Sequence, residues 1–142
     1  MPIRDPNKYR DKTADWMTFY TKTRCRELKP TVTPALLAEH AEDPRGGASR
    51  HSPALQDVLN FVHAEAIDGK AFAYAEVPYQ KYRLGILRGR GVAPEIRRDR
   101  AFKTEREAVH AVLLERLGTL GLLPKAAEPA AKPRATRKGA KR

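Results

Sequence analysis

After the third expected helix the hydrophobic period of this chain changes from about 3.6 to two, and that change decides the fold class. After Ser52, the residues Leu55, Val58, Leu59, Val62 and Ala66 recur at helical spacing up to Gly69, which turns one stripe of a helix toward a core. From Lys70 the spacing drops to two. Phe72 and Tyr74 alternate with alanines, and Tyr82, Leu84 and Ile86 alternate with Arg83 and Gly85. A two-residue period sends successive side chains to opposite faces of a strand, and Pro78 to Lys81 supply the connection of an antiparallel pair. A third short strand is expected between Val92 and Phe102, interrupted by Pro94 and preceded by Gly89 and Gly91.

Caps and breakers place the remaining elements. The first helix is expected from Ala14 to Leu28, capped by Thr13 or Asp11 and followed by Pro30. Thr33 and Pro34 open a second, TPALLAEHAED, which Pro44 and the pair Gly46–Gly47 end. Ser52 and Pro53 start the third, with Gly69 as its stop. Thr104 and Glu107 form a T-x-x-E capping box for the last, whose buried stripe is Val109, Val112, Leu113 and Leu117 and whose end is Gly118. Three N-terminal helices, a small antiparallel sheet of two to three strands and a covering C-terminal helix predict an α+β fold over residues 1–124. Residues 125–142, KAAEPAAKPRATRKGAKR, lack large apolar side chains. Ordering them would cost roughly 1–2 kcal/mol of backbone entropy per residue with no burial to offset it, so this tail is expected to be disordered.

With 142 residues there is room for one domain. Cys25 is the only cysteine, so no internal disulfide forms and a reducing compartment suits the chain. No apolar run approaches the ~20 residues that span a bilayer, and the N-terminus lacks a secretory apolar region, so a cytoplasmic protein with no membrane partner is expected. The formal net charge is +11, which directs attention to nucleic acid or another acidic partner. Much of it sits in the tail, where seven basic residues face Glu128 alone.

Catalytic and cofactor signatures are missing. The histidines His40, His51, His63 and His110 never fall at metal-ligand spacing; the one long-range set to weigh is His51, His63 and Glu65. Lys22, Arg24 and Arg26 surround Cys25 and would favour its thiolate, but no base lies near it in sequence. There is no nucleophile elbow or phosphate loop, and Gly89-Arg90-Gly91 lacks the helix that would aim amides at a phosphate.

Two features point to binding instead. Trp16, Met17, Phe19 and Tyr20 cover more than one face of the first helix, so that helix is contacted on two sides, by its own domain or by another chain. Between Tyr82 and Glu107 lie Arg83, Arg88, Arg90, Arg97, Arg98, Arg100, Lys103 and Arg106, interleaved with Tyr82 and Phe102. Such arginines read DNA from a β-ribbon, or pair with acids on another subunit. The strands followed by F-K-T-E-R-E-A also resemble the DNA-binding domains of phage integrases and plant ethylene-response factors, over that stretch alone. The subunit reading is preferred and nucleic acid is the runner-up.

RDPNKYRDKTADWMTFY at 4–20, EHAEDPRGGASRHSPALQDVLNF at 39–61 and RAFKTEREAVHAVLLERL at 100–117 together resemble the small subunit of bacterial N,N-dimethylformamidase. The resemblance covers nearly all of residues 4–117. Its departures are the basic extension after Pro124 and the alanines at 71, 73 and 75. It implies a complex that hydrolyses N,N-dimethylformamide to dimethylamine and formate, of α2β2 composition or a multiple of it. In that family a much larger subunit carries a mononuclear iron on tyrosine and glutamate side chains, and the small subunit holds no metal, cofactor or catalytic residue. The resemblance therefore implies a scaffolding chain, with Trp16, Phe19 and Tyr20 and the arginines Arg83, Arg88 and Arg90 expected at the interface with the large subunit.

Overall fold

Side-chain caps set where three of the helices begin. Thr33, Ser52 and Thr104 have extended backbones, and each hydroxyl accepts the amide three residues on, from Leu36, Leu55 and Glu107, at 3.3 Å in every case. Pro34 and Pro53 stand first in their helices, where the missing amide hydrogen has no partner to lose. The computed structural model describes residues 12–48 and 50–124. In order they form α1 (Lys12–Leu28), α2 (Pro34–Glu42), α3 (Pro53–His63), β1 (Ala71–Val77), β2 (Lys81–Ile86), β3 (Glu95–Ile96) and α4 (Glu105–Leu120). The fold is α+β, as the change of period predicts. Residues 1–11 and 125–142, and with them the start of the first motif and the expected disordered tail, lie outside the described residues.

Three boundaries differ from expectation. Helix α1 starts at Lys12, so Thr13 lies inside it and does not cap it; Asp11 is outside the described residues. Helix α3 stops at His63, where the Ala64 amide closes on Asn60 O at 3.2 Å, well before Gly69. Gly69 instead sits at φ +79° in the approach to β1, with its N–H donated to Leu87 O at 2.7 Å. Helix α4 runs through Gly118 and ends at Gly121, the glycine that takes the left-handed conformation, φ +71°. The Leu122 amide then donates to Leu117 O at 2.9 Å, which closes the terminus and turns Leu122 into the core. At the other end of α4, the Glu107 carboxylate takes the Lys103 amide at 3.3 Å, one residue ahead of the cap.

The sheet has the order β1-β2-β3, antiparallel throughout. Ala71 pairs with Ile86, Phe72 with Gly85 and Tyr74 with Arg83, and the register shifts at Glu76. The β1–β2 turn is short, with Tyr79 at φ +63°. Strand β3 has only two residues, extended by a bridge between Tyr82 and Phe102. Helix α4 covers the sheet on one side and meets α2 and α3 on the other. That arrangement accounts for the alanines of β1: Ala71, Ala73 and Ala75 alternate with Phe72 and Tyr74 and share their face with Leu84 and Tyr82, so short side chains admit the covering helix. It also corrects the expected stripe of α4. Ala108 and Ala111 are buried with Leu113 and Leu117, while Val109 and Val112 are half-buried, because the helix is enclosed from two directions. The core joins Leu28, Leu36, Leu55, Val58, Val62, Leu117 and Leu122, among others. A fully buried leucine contributes roughly 1.5–3 kcal/mol. Among the described residues no helix is long and apolar enough to cross a membrane.

Candidate docking surface

Helix α1 joins the core through its C-terminal half, where Leu28 is buried and Cys25 packs against the cluster. Its N-terminal half overhangs. Trp16 is 70% and Phe19 64% exposed, and Met17 and Tyr20 are also exposed. At 3.6 residues per turn, Trp16, Phe19 and Tyr20 occupy one arc of about 100°, turned away from Cys25 and Leu28. Trp16 meets Phe19 edge to face, with ring centroids 6.5 Å apart at 89°, a favoured aromatic geometry. The two alternatives left open for these side chains therefore separate: they do not fill the core of their own fold.

Beneath the overhang runs an open cleft of about 780 Å³, walled by Met17 and Tyr20 of α1, Phe61 of α3, Ile86 of β2 and Glu115 and Arg116 of α4. Several of its charges are engaged within the chain. Arg97 pairs with Glu115 at 2.7 Å, and the Arg116 guanidinium donates twice to Ala71 O, at 2.7 and 3.1 Å. Burial lowers the pKa of Arg116, partly offset by Glu65, and raises that of Glu65, partly offset by Arg116 and Lys70.

The arginines expected at an interface divide into two kinds. Arg83 is bound to Glu76 across the hairpin and donates to Arg98 O at 2.9 Å; its side chain is only 12% exposed. Arg88 closes on Glu95 of β3. Their forks are filled within the chain. Arg90 is exposed on the turn after β2 and makes no ion pair among the described residues. Arg100 stacks over Phe102 at 5.4 Å.

The long-range set His51, His63 and Glu65 does not converge. His51 precedes α3, where its Nε2 lies 2.7 Å from Asp43 O, whereas His63 ends that helix and Glu65 follows it, about 16 Å away along the axis. The structure brings together a different pair. His40 of α2 and His110 of α4 place their Nδ1 atoms 2.9 Å apart, with the His51 ring 6.2 Å from that of His40. His40 is 2% exposed, and burial, then its histidine neighbours, lower its pKa to about 4. The available signal was the spacing of His40 from Leu36 and Leu37, which sets it on the buried stripe of α2; nothing local points to His110. Among the described residues no three His, Cys, Asp or Glu side chains are grouped to hold a metal. The Cys25 thiol is pushed up, first by burial and then by Glu65, opposite to the effect expected from the neighbouring cations.

A family model for the N,N-dimethylformamidase alpha subunit matches residues 15–126, which span the overhanging aromatics, the cleft and the histidine pair. The chain belongs to the N,N-dimethylformamidase alpha-subunit family. It is 40% identical over 117 residues to the N,N-dimethylformamidase alpha subunit of an Alcaligenes species, covering 81% of this chain and 88% of that one. To the N,N-dimethylformamidase alpha subunit of Paracoccus aminophilus it is 34% identical over 117 residues, covering 81% of this chain and 82% of the relative. The family match ends two residues into the basic tail, so nearly all of that extension falls outside it. The sequence resemblance to N,N-dimethylformamidase is thus established over residues 15–126, under the designation alpha.

Proposed function

We propose that this chain is the non-catalytic, stabilising subunit of a cytoplasmic amide hydrolase that converts N,N-dimethylformamide and water to dimethylamine and formate. A larger partner subunit carries the mononuclear iron and the chemistry, in an α2β2 assembly or a multiple of it. The observation that carries this reading is the exposed aromatic face of α1. Trp16 and Phe19 expose large apolar surfaces to water within the span matched by the family, and aromatic side chains of this kind anchor interfaces by filling a partner's pockets. Tyr20 adds a polar handle to the same arc. Arg90 contributes an unfilled guanidinium fork, while Arg83 and Arg88 stiffen the hairpin that presents it.

The test is co-expression with the large subunit. Trp16→Ala with Phe19→Ala is expected to reduce co-purification at least about tenfold, the equivalent of ~1.4 kcal/mol, and to lower formamide hydrolysis in parallel. Undiminished assembly and activity would remove α1 from the interface. Dimethylamine release by the purified single chain, or stoichiometric iron retained in it, would overturn the non-catalytic role.

A further inference from the structure

Helices α2 and α4 meet through two imidazoles. His40 projects from the same side of α2 as Leu36 and Leu37, and its Nδ1 faces that of His110 at 2.9 Å. A contact of this length is a hydrogen bond with a single proton in it: one ring donates and the other must be unprotonated at Nδ1 to accept. A second proton would set two N–H groups head to head, in a place where His40 has no water to turn to.

The surroundings offer that proton little compensation. On α2, Glu39 accepts the Ser52 amide at 2.7 Å and its hydroxyl at 2.9 Å. In the loop to α3, the Asp43 carboxylate accepts the amides of Gly47 and Ala48 at 3.2 and 2.8 Å, and Arg45 reaches Glu105 at the start of α4. His51 stacks near His40 from that loop, and His63 of α3 acts on it from a distance. These last two groups are cations when protonated and oppose a charge on His40.

We propose that the His40–His110 contact is a proton-operated latch between α2 and α4, closed while one ring is neutral and accepts at Nδ1, and released in mild acid as both rings take up protons. Release frees α2 and the loop that follows it, while the sheet and the core half of α4 stay folded. Helix α2 has only nine residues, and short peripheral elements open locally at lower free energy than the whole fold. Burial lowers the pKa of both rings, so the open form binds protons more tightly. The latch is therefore fully effective near neutrality and weakens as pH falls through the ordinary histidine range toward about 4. It is a property of the chain alone and does not rest on docking to the large subunit.

Amide hydrogen exchange on the full chain at pH 7.5 and 5.0, corrected for intrinsic rates, tests it. Residues 36–41 of α2 are expected to lose protection by at least about tenfold at pH 5.0, one pKa unit of differential proton binding, while residues 113–117 of α4 keep theirs. The double variant His40→Gln with His110→Gln retains hydrogen-bonding groups but leaves neither ring to titrate, and is expected to remove this acid response. Nitrogen-15 imidazole shifts of the unmodified chain provide the second readout: opening of α2 should share its midpoint with ring titration, whether or not the variant folds. Unchanged α2 protection at pH 5.0, an acid response that survives in the double variant, or a midpoint away from the ring titration would overturn the latch. So would zinc ion raising the melting temperature of the unmodified chain but not of His110→Gln, since the pair would then be a metal site.

Discussion

The phenyl ring of Phe72 lies across Gly85 on the neighbouring strand, in the space a Cβ at position 85 would take. Gly85 is buried in β2, so the absent side chain is what lets the ring close the outer face of the sheet. Gly85→Ala is expected to cost about 1–3 kcal/mol by driving the ring off its seat. Because the ring is then already displaced, Phe72→Ala should cost less in the Gly85→Ala background than alone. Urea melts of the two single variants and the double give the coupling; strict additivity would show that ring and glycine are independent.

The aromatic overhang makes an opposite prediction for stability. Trp16→Ala and Phe19→Ala remove exposed side chains and should each shift the isolated chain's stability by no more than about 0.5 kcal/mol. Leu117→Ala, at a fully buried site, should cost about 2–5 kcal/mol. Thermal denaturation of the three variants side by side is the check, and a large loss for Trp16→Ala would return that side chain to the chain's own core.

Ser52 serves two structures at once, capping α3 and holding Glu39 of α2. Ser52→Ala should cost about 1 kcal/mol for the cap. The Ser52 amide and hydroxyl hold the Glu39 carboxyl below the usual carboxylate range, and a lowered folded pKa gives stability that is present at neutral pH and lost as pH falls through it. Loss of the hydroxyl should move the Glu39 titration upward, toward its ordinary value. A carbon-13 carboxyl titration of the variant reads this directly, and an unmoved midpoint would assign the whole effect to the amide.

Cys25 should be a sluggish nucleophile. Burial and Glu65 push its thiol up, so the thiolate is scarce at neutral pH despite Lys22, Arg24 and Arg26 nearby. Alkylation by iodoacetamide is expected to be slower than for a free thiol at pH 7.5 and to accelerate with rising pH beyond the free thiol's own midpoint. A rate at pH 7.5 above that of free thiol would reverse the assignment.

What the sequence determined by itself is local. The hydroxyls of Thr33, Ser52 and Thr104 cap from three residues away, and the alternation around Tyr82, Leu84 and Ile86 needs only neighbouring residues, so the helices and hairpin were legible. Boundaries at Gly69 and Gly118 were not, because a glycine stops a helix only where packing asks the backbone for a positive φ, and in α4 that happens at Gly121. The aromatic arc of α1 was legible as a cluster, but its exposure was not: whether a helix face is covered depends on where the helix leaves the core.

Tertiary structure alone decided the pairings. His40 and His110 are 70 positions apart, and no spacing rule links residues whose meeting depends on how α2 packs on α4. The forks of Arg83 and Arg88 close on Glu76 and Glu95 only once the strands fall into register. Caps and periods act over a single turn or a single pleat, whereas burial, pKa and ion pairing are set by what the assembled layers bring within a few ångströms.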